Sequence, residues 1–227
     1  MTKPRATSPH ATAVNSLLAF ERAFGVEELP IVSRQRASRA DDRPTQLAEL
    51  AHRAEQCTAC PLYRTRTRFV FGDGSPQAAL MFVGEAPGRE EDLQGKPFVG
   101  AAGQLLTKMI ESIGLKREDT YIANVLKDRP PSNRQPEPTE IAACRHWLEE
   151  QITIIQPRVL CALGRYAAMT LLDPTISIMR ARGTWMEWRG IPVMPTFHPA
   201  YLLRNPDAKK LVWKDLKAIR DRLNQRP

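Results

Sequence analysis

The sequence predicts an α/β protein built on a mostly parallel sheet with helices on both faces. Three short apolar runs, Ala79–Val83, Thr120–Leu126 and Arg158–Leu163, have the length and composition of buried strands. Amphipathic helical patterns over Ala101–Ile113 and Thr139–Ile155 separate these runs. Strands that alternate with helices run parallel, because each crossover helix returns the chain to the same end of the sheet.

The C-terminal part of the sequence continues this pattern. Arg165–Leu172 and Lys209–Leu223 show helical apolar spacing, and the second predicts a terminal helix. Two extended segments, Trp185–Trp188 and Ile191–Pro195, flank the pair Arg189-Gly190, which is a hairpin signal. Ligands of such sheets bind beyond the carboxyl ends of the strands. The loops that follow the strands are therefore where a functional site is expected.

The N-terminal segment differs in composition from the rest of the chain. Residues 1–13 are small and polar, and we expect them to be disordered. Val14–Phe24 has the apolar spacing of a short amphipathic helix, and residues 33–45 are charged and poor in apolar side chains. The sequence therefore predicts an extension with one helix and a linker over 1–45, and a globular domain over 46–227.

The composition is basic: the 227 residues carry a formal net charge of +8, and the isoelectric point is about 9.6. Such a balance favours nucleic acid or another acidic partner. Four cysteines are too few for a disulfide scaffold of this size. The sequence shows neither an apolar run of membrane-spanning length nor the apolar core of a signal peptide. We therefore expect a cytoplasmic monomer that does not enter a membrane.

The loop after the first predicted strand is rich in glycine and in carboxylates. Its glycines let the backbone approach a ligand closely. Glu85, Glu90, Glu91 and Asp92 make it too acidic for a phosphate cradle. These carboxylates either act at a reacting centre or form a solvated helix face, which is the common fate of a charge run.

Two side chains in these loops suit a flat heterocycle. Phe98, between a proline and a valine, either presents its ring to such a ligand or packs into the core. Asn124 lies at the end of the second strand, where its amide either donates and accepts at a heterocycle edge or forms a turn.

Basic and apolar residues in the later loops suit DNA. Lys127, Arg129 and Arg134 lie on a proline-stiffened loop, where they either contact phosphates or form a solvated surface. His198 precedes a proline and is therefore biased to extended backbone. The segment that follows it, Ala200–Arg204, contains Leu202, Leu203 and Arg204. Its leucines either wedge into a stacked duplex or begin an ordinary helix with a buried face.

The cysteines indicate a metal site. Cys57 and Cys60 form a C-x-x-C pair, and Cys144 lies far along the chain. Zinc, an iron–sulfur cluster and a redox dithiol all use such pairs, but the absence of a preceding strand disfavours the dithiol. Cys161 lies within a predicted strand and is interpreted as a core residue.

Four ordered motifs, GEAPGREED, GKPFVGAAGQLL, YIANVLKDRPPSNRQPEP and TFHPAYLLRNP, resemble those of the family 4 uracil-DNA glycosylases. The resemblance covers about Gln56 to Leu223. It implies a three-layer α/β sandwich around a central, mainly parallel four-stranded sheet. It also implies a DNA repair enzyme that hydrolyses the N-glycosidic bond of uracil in single- and double-stranded DNA and leaves an abasic site. A structural 4Fe–4S cluster belongs to the same family pattern.

The resemblance also implies roles for the loop residues. Gly84, Glu85 and Ala86 would lie beside the flipped nucleotide and its attacking water, and Glu91 would support them. His198 would stabilise the charge that develops on the uracil O2.

The same resemblance implies how the base and the DNA are held. Phe98 would stack on uracil, and Asn124 would bond its edge. Arg129 and Arg134 would contact the DNA backbone, and the loop His198–Arg204 would fill the gap left in the duplex.

One position departs from the family pattern. The family holds its cluster with four cysteines, and here Asp128 replaces one of them, in the run Lys127-Asp128-Arg129-Pro130. Asp128 either binds iron with Cys57, Cys60 and Cys144, or the cluster is incomplete or absent, or the residue is an engineered substitution. We predict a cluster site at Cys57, Cys60, Asp128 and Cys144, labile because of the aspartate.

Other functions are compatible with the same fold. The chain could bind uracil or abasic DNA without catalysis, or excise another deaminated base such as hypoxanthine. Relatives that trap DNA covalently carry an additional histidine-bearing loop, and the sequence has no histidine between Lys127 and Glu140.

Overall fold

Six β-strands form one mixed sheet in residues 41–225, the part of the chain that the computed structural model describes. The strands are β1 (Asp73–Gly74), β2 (Leu80–Gly84), β3 (Tyr121–Asn124), β4 (Val159–Leu163), β5 (Met186–Trp188) and β6 (Ile191–Thr196). Their order is β1-β3-β2-β4-β6-β5. The four central strands are parallel, and β1 and β5 pair antiparallel at the two edges. The predicted central parallel sheet is thus confirmed, with two short edge strands added.

Eight α-helices accompany the sheet in the described residues. They are α1 (Arg43–Glu55), α2 (Arg89–Gln94), α3 (Ala101–Ser112), α4 (Pro138–Ile155), α5 (Arg165–Leu171), α6 (Ile178–Ala181), α7 (Pro199–Arg204) and α8 (Lys209–Asn224). None of the helices in 41–225 is long and apolar enough to cross a membrane. The predicted helices and strands agree with the observed ones to within one or two residues at most ends.

Two hydrophobic cores lie on opposite faces of the sheet, because side chains along a strand alternate between faces. Along β2, Met81 and Val83 belong to the core that contains Leu148 of α4. Leu80 and Phe82 belong to the other core, formed with residues of α3 and α8. Two helical layers therefore enclose the sheet. Cys161 of β4 is fully buried in the second core, which confirms its interpretation as a core residue.

The N-terminal boundary of the described unit differs from the prediction. Helix α1 begins at Arg43, within the segment 33–45 that was predicted to be a linker. Pro44 fits the first helical turn, where its missing N–H is not needed. Leu50 and Ala54 pack this helix against Trp147. The charged composition of residues 33–45 gives no indication that a helix begins there. The predicted helix Val14–Phe24 lies outside the described residues.

Backbone geometry confirms the predicted hairpin and shows where the N-terminal cap of α4 lies. The predicted hairpin joins β5 and β6, and both turn residues, Arg189 and Gly190, have positive φ, as a type I′ turn requires. The capping box of α4 starts at Glu137, whose backbone N–H donates to the carboxylate of Glu140.

Candidate active site at the carboxyl ends of the parallel strands

A cavity of about 430 Å³ lies among the loops that follow β2, β3 and β6. It is at the edge of the sheet where parallel strands end, as the topology predicts. The predicted site residues that line it are Glu85, Ala86, Glu91, Phe98, Asn124, Arg134, His198 and Arg204.

Gly84 lies directly behind two residues that line the cavity. It is the partner of Asn124 in the register of β2 and β3. A Cβ atom on Gly84 would collide with the Asn124 side chain and would lie 2.6 Å from the Phe98 ring. The glycine therefore lets the Asn124 amide and the Phe98 ring pack closely against the end of β2.

Asn124 is buried, with 1% of its surface exposed. Among the described residues, its side-chain oxygen Oδ1 finds no hydrogen-bond donor. A buried acceptor without a partner is costly, so it points to a donor supplied from outside the chain.

The Phe98 ring is held in place by an unusual backbone. Its φ is +53°, which is rare for a residue with a side chain. The carbonyl of Phe98 packs so closely on Gly103 of α3 that a Cβ there would collide with it. The ring is mostly buried, and its centroid is 5.4 Å from that of the His198 ring, at an interplanar angle of 32°. Phe98 thus belongs both to the core and to the cavity wall.

His198 caps the N-terminus of α7 and stays neutral near pH 7. Its Nδ1 accepts a hydrogen bond from the Ala200 N–H at 3.1 Å. Burial, with a smaller contribution from the Arg204 charge, lowers the pKa of His198 to about 4. Because Nδ1 is an acceptor in a neutral ring, Nε2 carries the hydrogen. His198 is therefore a neutral hydrogen-bond donor beside the cavity.

Glu85 is the carboxylate that immediately follows β2 and lines the cavity. It is half-buried, and burial raises its pKa above the ordinary value. The backbone around it is fixed by β3, because the Leu126 N–H donates to the Glu85 carbonyl at 3.0 Å.

Glu91 lines the cavity, and its carboxylate positions the surrounding backbone. Its Oε1 accepts hydrogen bonds from the N–H groups of Val99 and Gly100, both at 2.9 Å. Its Oε2 accepts from the Gly88 N–H at 3.1 Å. Both oxygens are thus used to hold the loop that carries Phe98.

The other two carboxylates of the acidic turn, Glu90 and Asp92, do not line the cavity. Asp92 is buried and accepts from the N–H and hydroxyl of Thr67, at 2.7 and 2.8 Å. Glu90 is exposed. The four carboxylates of the turn therefore have different uses. Glu91 and Asp92 hold loops, Glu90 is solvated, and Glu85 borders the cavity.

Of the two predicted DNA-contacting arginines of the second loop, Arg134 lines the cavity and Arg129 does not. Arg134 donates to both carboxylate oxygens of Glu140, at 2.9 and 2.6 Å. Glu140 is buried, and the hydrogen bonds from Arg134 lower its pKa. Arg129 donates to Asn133 at 2.7 Å. These contacts hold Arg134 on the cavity wall, and Glu140 is a supporting residue that its helical position alone did not reveal.

Lys127 is not a phosphate contact, contrary to one of the two interpretations of its loop. It is fully buried, and burial lowers its pKa to about 7. Its Nζ donates to the carbonyls of Phe71 and Asn124 and to the side chain of Gln151. These three acceptors match the three N–H groups of an ammonium.

The two leucines of α7 have different environments. Leu202 is 1% exposed and packs in the core, whereas Leu203 is 47% exposed. Consecutive helical residues point about 100° apart, so one faces the core and the next faces solvent. The prediction that Leu202 contacts DNA is therefore wrong for this conformation, and Leu203 is the leucine that is available.

The predicted cluster residues do not form a four-ligand set. Cys60 and Cys144 are buried in one core. Cys57 packs against a different cluster of side chains. The Asp128 carboxylate accepts from Arg66 Nη1 at 3.2 and 3.3 Å. Across residues 41–225, no group of three or more His, Cys, Asp or Glu side chains is arranged to hold a metal ion.

The chain was compared with known proteins. Residues 71–217 match the family model described as the uracil DNA glycosylase superfamily. The chain is 48% identical to a type-4 uracil-DNA glycosylase of Thermotoga maritima, over 74% of this chain and 89% of the relative. It is 45% identical to a type-4 uracil-DNA glycosylase of Sulfurisphaera tokodaii, over 77% and 84% of the two chains. A type-5 uracil-DNA glycosylase of Thermus thermophilus is 32% identical over 46% of this chain and 54% of the relative.

Proposed function

The chain belongs to the uracil-DNA glycosylase superfamily, and from this premise we propose that it excises uracil from DNA at the cavity beside Asn124. The product is an abasic site, which makes the protein a DNA repair enzyme and a hydrolase of N-glycosyl bonds. The substrate is uracil in single- or double-stranded DNA.

One observation carries the proposal: the buried Oδ1 of Asn124 lacks a donor among the described residues. The N3–H of uracil is such a donor, and the neighbouring carbonyl of the base accepts from the Asn124 amide nitrogen. A site built to bond both groups rejects a base that leaves its buried amide unpaired. Asn124 therefore reads the edge of the base.

The geometry around Asn124 suits a planar ring. Phe98 forms one wall of the cavity, and Gly84 lets the Phe98 ring and the Asn124 amide pack closely against the strand end. A base rotated out of the duplex stacks on an aromatic face of this kind. The tilted His198 ring, 5.4 Å from the Phe98 ring, lies at the same end of the cavity.

Bond cleavage separates charge in a way that Glu85 and His198 match. As the bond between C1′ and N1 breaks, its electrons move to uracil and the sugar becomes oxocarbenium-like. The neutral His198 donates Nε2–H to the uracil O2, while the Glu85 carboxylate stabilises the cation or orients water. Water then adds to C1′, and its proton passes to Glu85 or to solvent. Preorganised groups of this type contribute about 3–4 kcal/mol each.

The rim provides the DNA contacts. Arg129, Arg134 and Arg204 contact phosphates, and the exposed Leu203 occupies the space that the rotated nucleotide vacates. Unstacking a base costs a few kcal/mol, and less when the base is mispaired or single-stranded. Uracil opposite guanine and uracil in single strands are therefore excised faster than uracil opposite adenine.

The test is a single-turnover assay on labelled oligonucleotides that contain one uracil, followed by alkaline cleavage at abasic sites. Wild-type protein is expected to cut single-stranded and U·G substrates fastest, and to leave hypoxanthine substrates uncut. His198→Ala and Asn124→Ala should each slow excision by about 10²–10³ with unchanged circular dichroism. Lys116→Ala, an exposed position, is the control.

Three results would contradict the proposal. Near-wild-type rates in both site variants would show that the reaction does not take place in this cavity. Faster release of hypoxanthine than of uracil would show that uracil is not the preferred substrate. Tight DNA binding without any excision would indicate a binding protein instead of an enzyme.

A further inference from the structure

A salt bridge between Arg66 and Asp128 lies among the residues that the family resemblance assigns to an iron–sulfur cluster. We infer that this ion pair connects the end of α1 to the loop after β3, and that the protein folds without a 4Fe–4S cluster. The observation behind this inference is the disagreement between the implied ligand set and the contacts that Asp128 makes.

Arg66 ties three separate segments together. Its guanidinium donates to the carbonyls of Glu55 and Cys57, at 2.6 and 3.0 Å, just after α1. It also donates to Asp128 in the loop after β3. A cluster bound by Cys57, Cys60, Asp128 and Cys144 would connect the Cys57 segment to the loop after β3 and, in addition, to α4. The salt bridge thus provides the first of these connections, between the Cys57 segment and Asp128.

Iron binding would require this pair to separate. The Asp128 side chain is 4% exposed and the Arg66 side chain 17% exposed. Moving the carboxylate onto iron would leave the guanidinium in a largely buried place without its counter-charge, which is strongly unfavourable. Oxygen ligation is also a poor substitute for thiolate at such clusters.

The first experiment measures iron. The full chain is expressed with added iron and sulfide sources and purified without oxygen, and its iron content and visible absorbance are recorded. We expect a colourless protein with no stoichiometric iron. About four iron atoms per chain, with a thiolate-to-iron absorption band, would overturn the inference.

The second experiment restores the missing ligand. Asp128→Cys removes the carboxylate and adds a thiolate donor, so we expect this variant to acquire visible absorbance and iron under the same conditions. Asp128→Asn, which removes the charge without adding a thiolate, is the matched control and should stay colourless. A colourless, folded Asp128→Cys protein would overturn the claim that Asp128 prevents a cluster from binding at these residues.

The third experiment measures the cross-link itself. Arg66→Met and Asp128→Asn should each lower Tm by about 5 °C or more, because each leaves one buried charge unpaired. The double variant should be less destabilised than the sum of the two single variants. Additive effects, or single variants with wild-type Tm, would overturn the structural role of the pair.

These readouts do not depend on catalysis. Iron content, absorbance and Tm are measured on protein without DNA. A colourless protein that fails to excise uracil would contradict the proposed function and leave this inference standing. An iron-loaded, active protein would do the reverse.

Discussion

The buried ammonium of Lys127 donates a hydrogen bond of 2.9 Å to the backbone carbonyl of Asn124, the residue at the cavity floor. The same group bonds Phe71 and Gln151, so it connects the end of β3 to the segment before β1 and to α4. Lys127 therefore holds the strand end from which Asn124 projects, without touching the cavity.

Lys127→Met should lower both stability and activity. The change removes the Lys127 donor from the Asn124 carbonyl and from the Gln151 side-chain oxygen, whereas the Phe71 carbonyl keeps its hydrogen bond from Gln151 Nε2. A buried acceptor that loses its partner costs about 1–3 kcal/mol. We expect a lower Tm and a fall in kcat/KM for uracil excision. Lys96→Met, at a side chain that is 63% exposed, is the matched control and should change neither quantity. A wild-type kcat/KM in a destabilised Lys127→Met protein would limit the lysine to a structural role.

Gly84→Ala should abolish most activity while the fold persists. The added methyl group would collide with the Asn124 amide and the Phe98 ring, and would displace the two side chains that hold the base. We expect a fall of at least about 10²-fold in single-turnover rate, measured with the assay described above. Gly114→Ala is a useful comparison, because Gly114 has open space around its Cβ position but a positive φ. It should cost stability and leave the rate of the folded protein unchanged.

The acidic limb of the pH–rate profile should belong to Glu85. Burial raises its pKa, so the carboxylate form is lost as pH falls through a value above the ordinary one. Burial lowers the pKa of His198 to about 4, so this group becomes charged only at lower pH than an ordinary imidazole. The single-turnover rate is therefore expected to rise with pH and then level off. In Glu85→Gln the rate should be low and independent of pH across the same limb; an unchanged limb would assign it to another group.

His198 also makes stability depend on pH. Its pKa is about 4 in the folded protein and about 6.5 in an unfolded chain. Between these values the unfolded chain binds more protons, so the free energy of unfolding decreases as pH falls. Denaturant titrations of wild type and His198→Gln should therefore diverge between pH 6.5 and 4. Parallel curves would show that the imidazole is solvated and titrates normally.

The two neighbouring leucines of α7 should affect different properties. Leu202→Ala opens a cavity in the core and should cost about 2–5 kcal/mol of stability. Leu203→Ala should leave Tm unchanged and slow excision from duplex DNA more than from single strands, because only the duplex has a gap to fill. Equal losses on both substrates would mean that Leu203 is not inserted into the duplex.

Much of the site could be predicted from sequence because it depends on short-range patterns and on topology. Apolar runs such as Ala79–Val83 mark buried strands wherever they occur. Since parallel strands end at one edge, Glu85, Asn124 and His198 had to approach one another. The motifs that carry the family resemblance lie in those same loops, so fold class, cavity and family membership all followed from residues that are local in sequence.

What the sequence by itself determined was therefore the order of the elements, the parallel sheet and the edge at which the site lies. Only the tertiary structure decided how the charged side chains are used: Glu91 holds backbone, Lys127 is buried, and Asp128 pairs with Arg66. The physical reason is that burial and ion pairing depend on residues far apart in sequence, such as the 62 positions between Arg66 and Asp128. No local periodicity encodes which of two available partners, a guanidinium or a metal, a buried carboxylate meets when the chain folds.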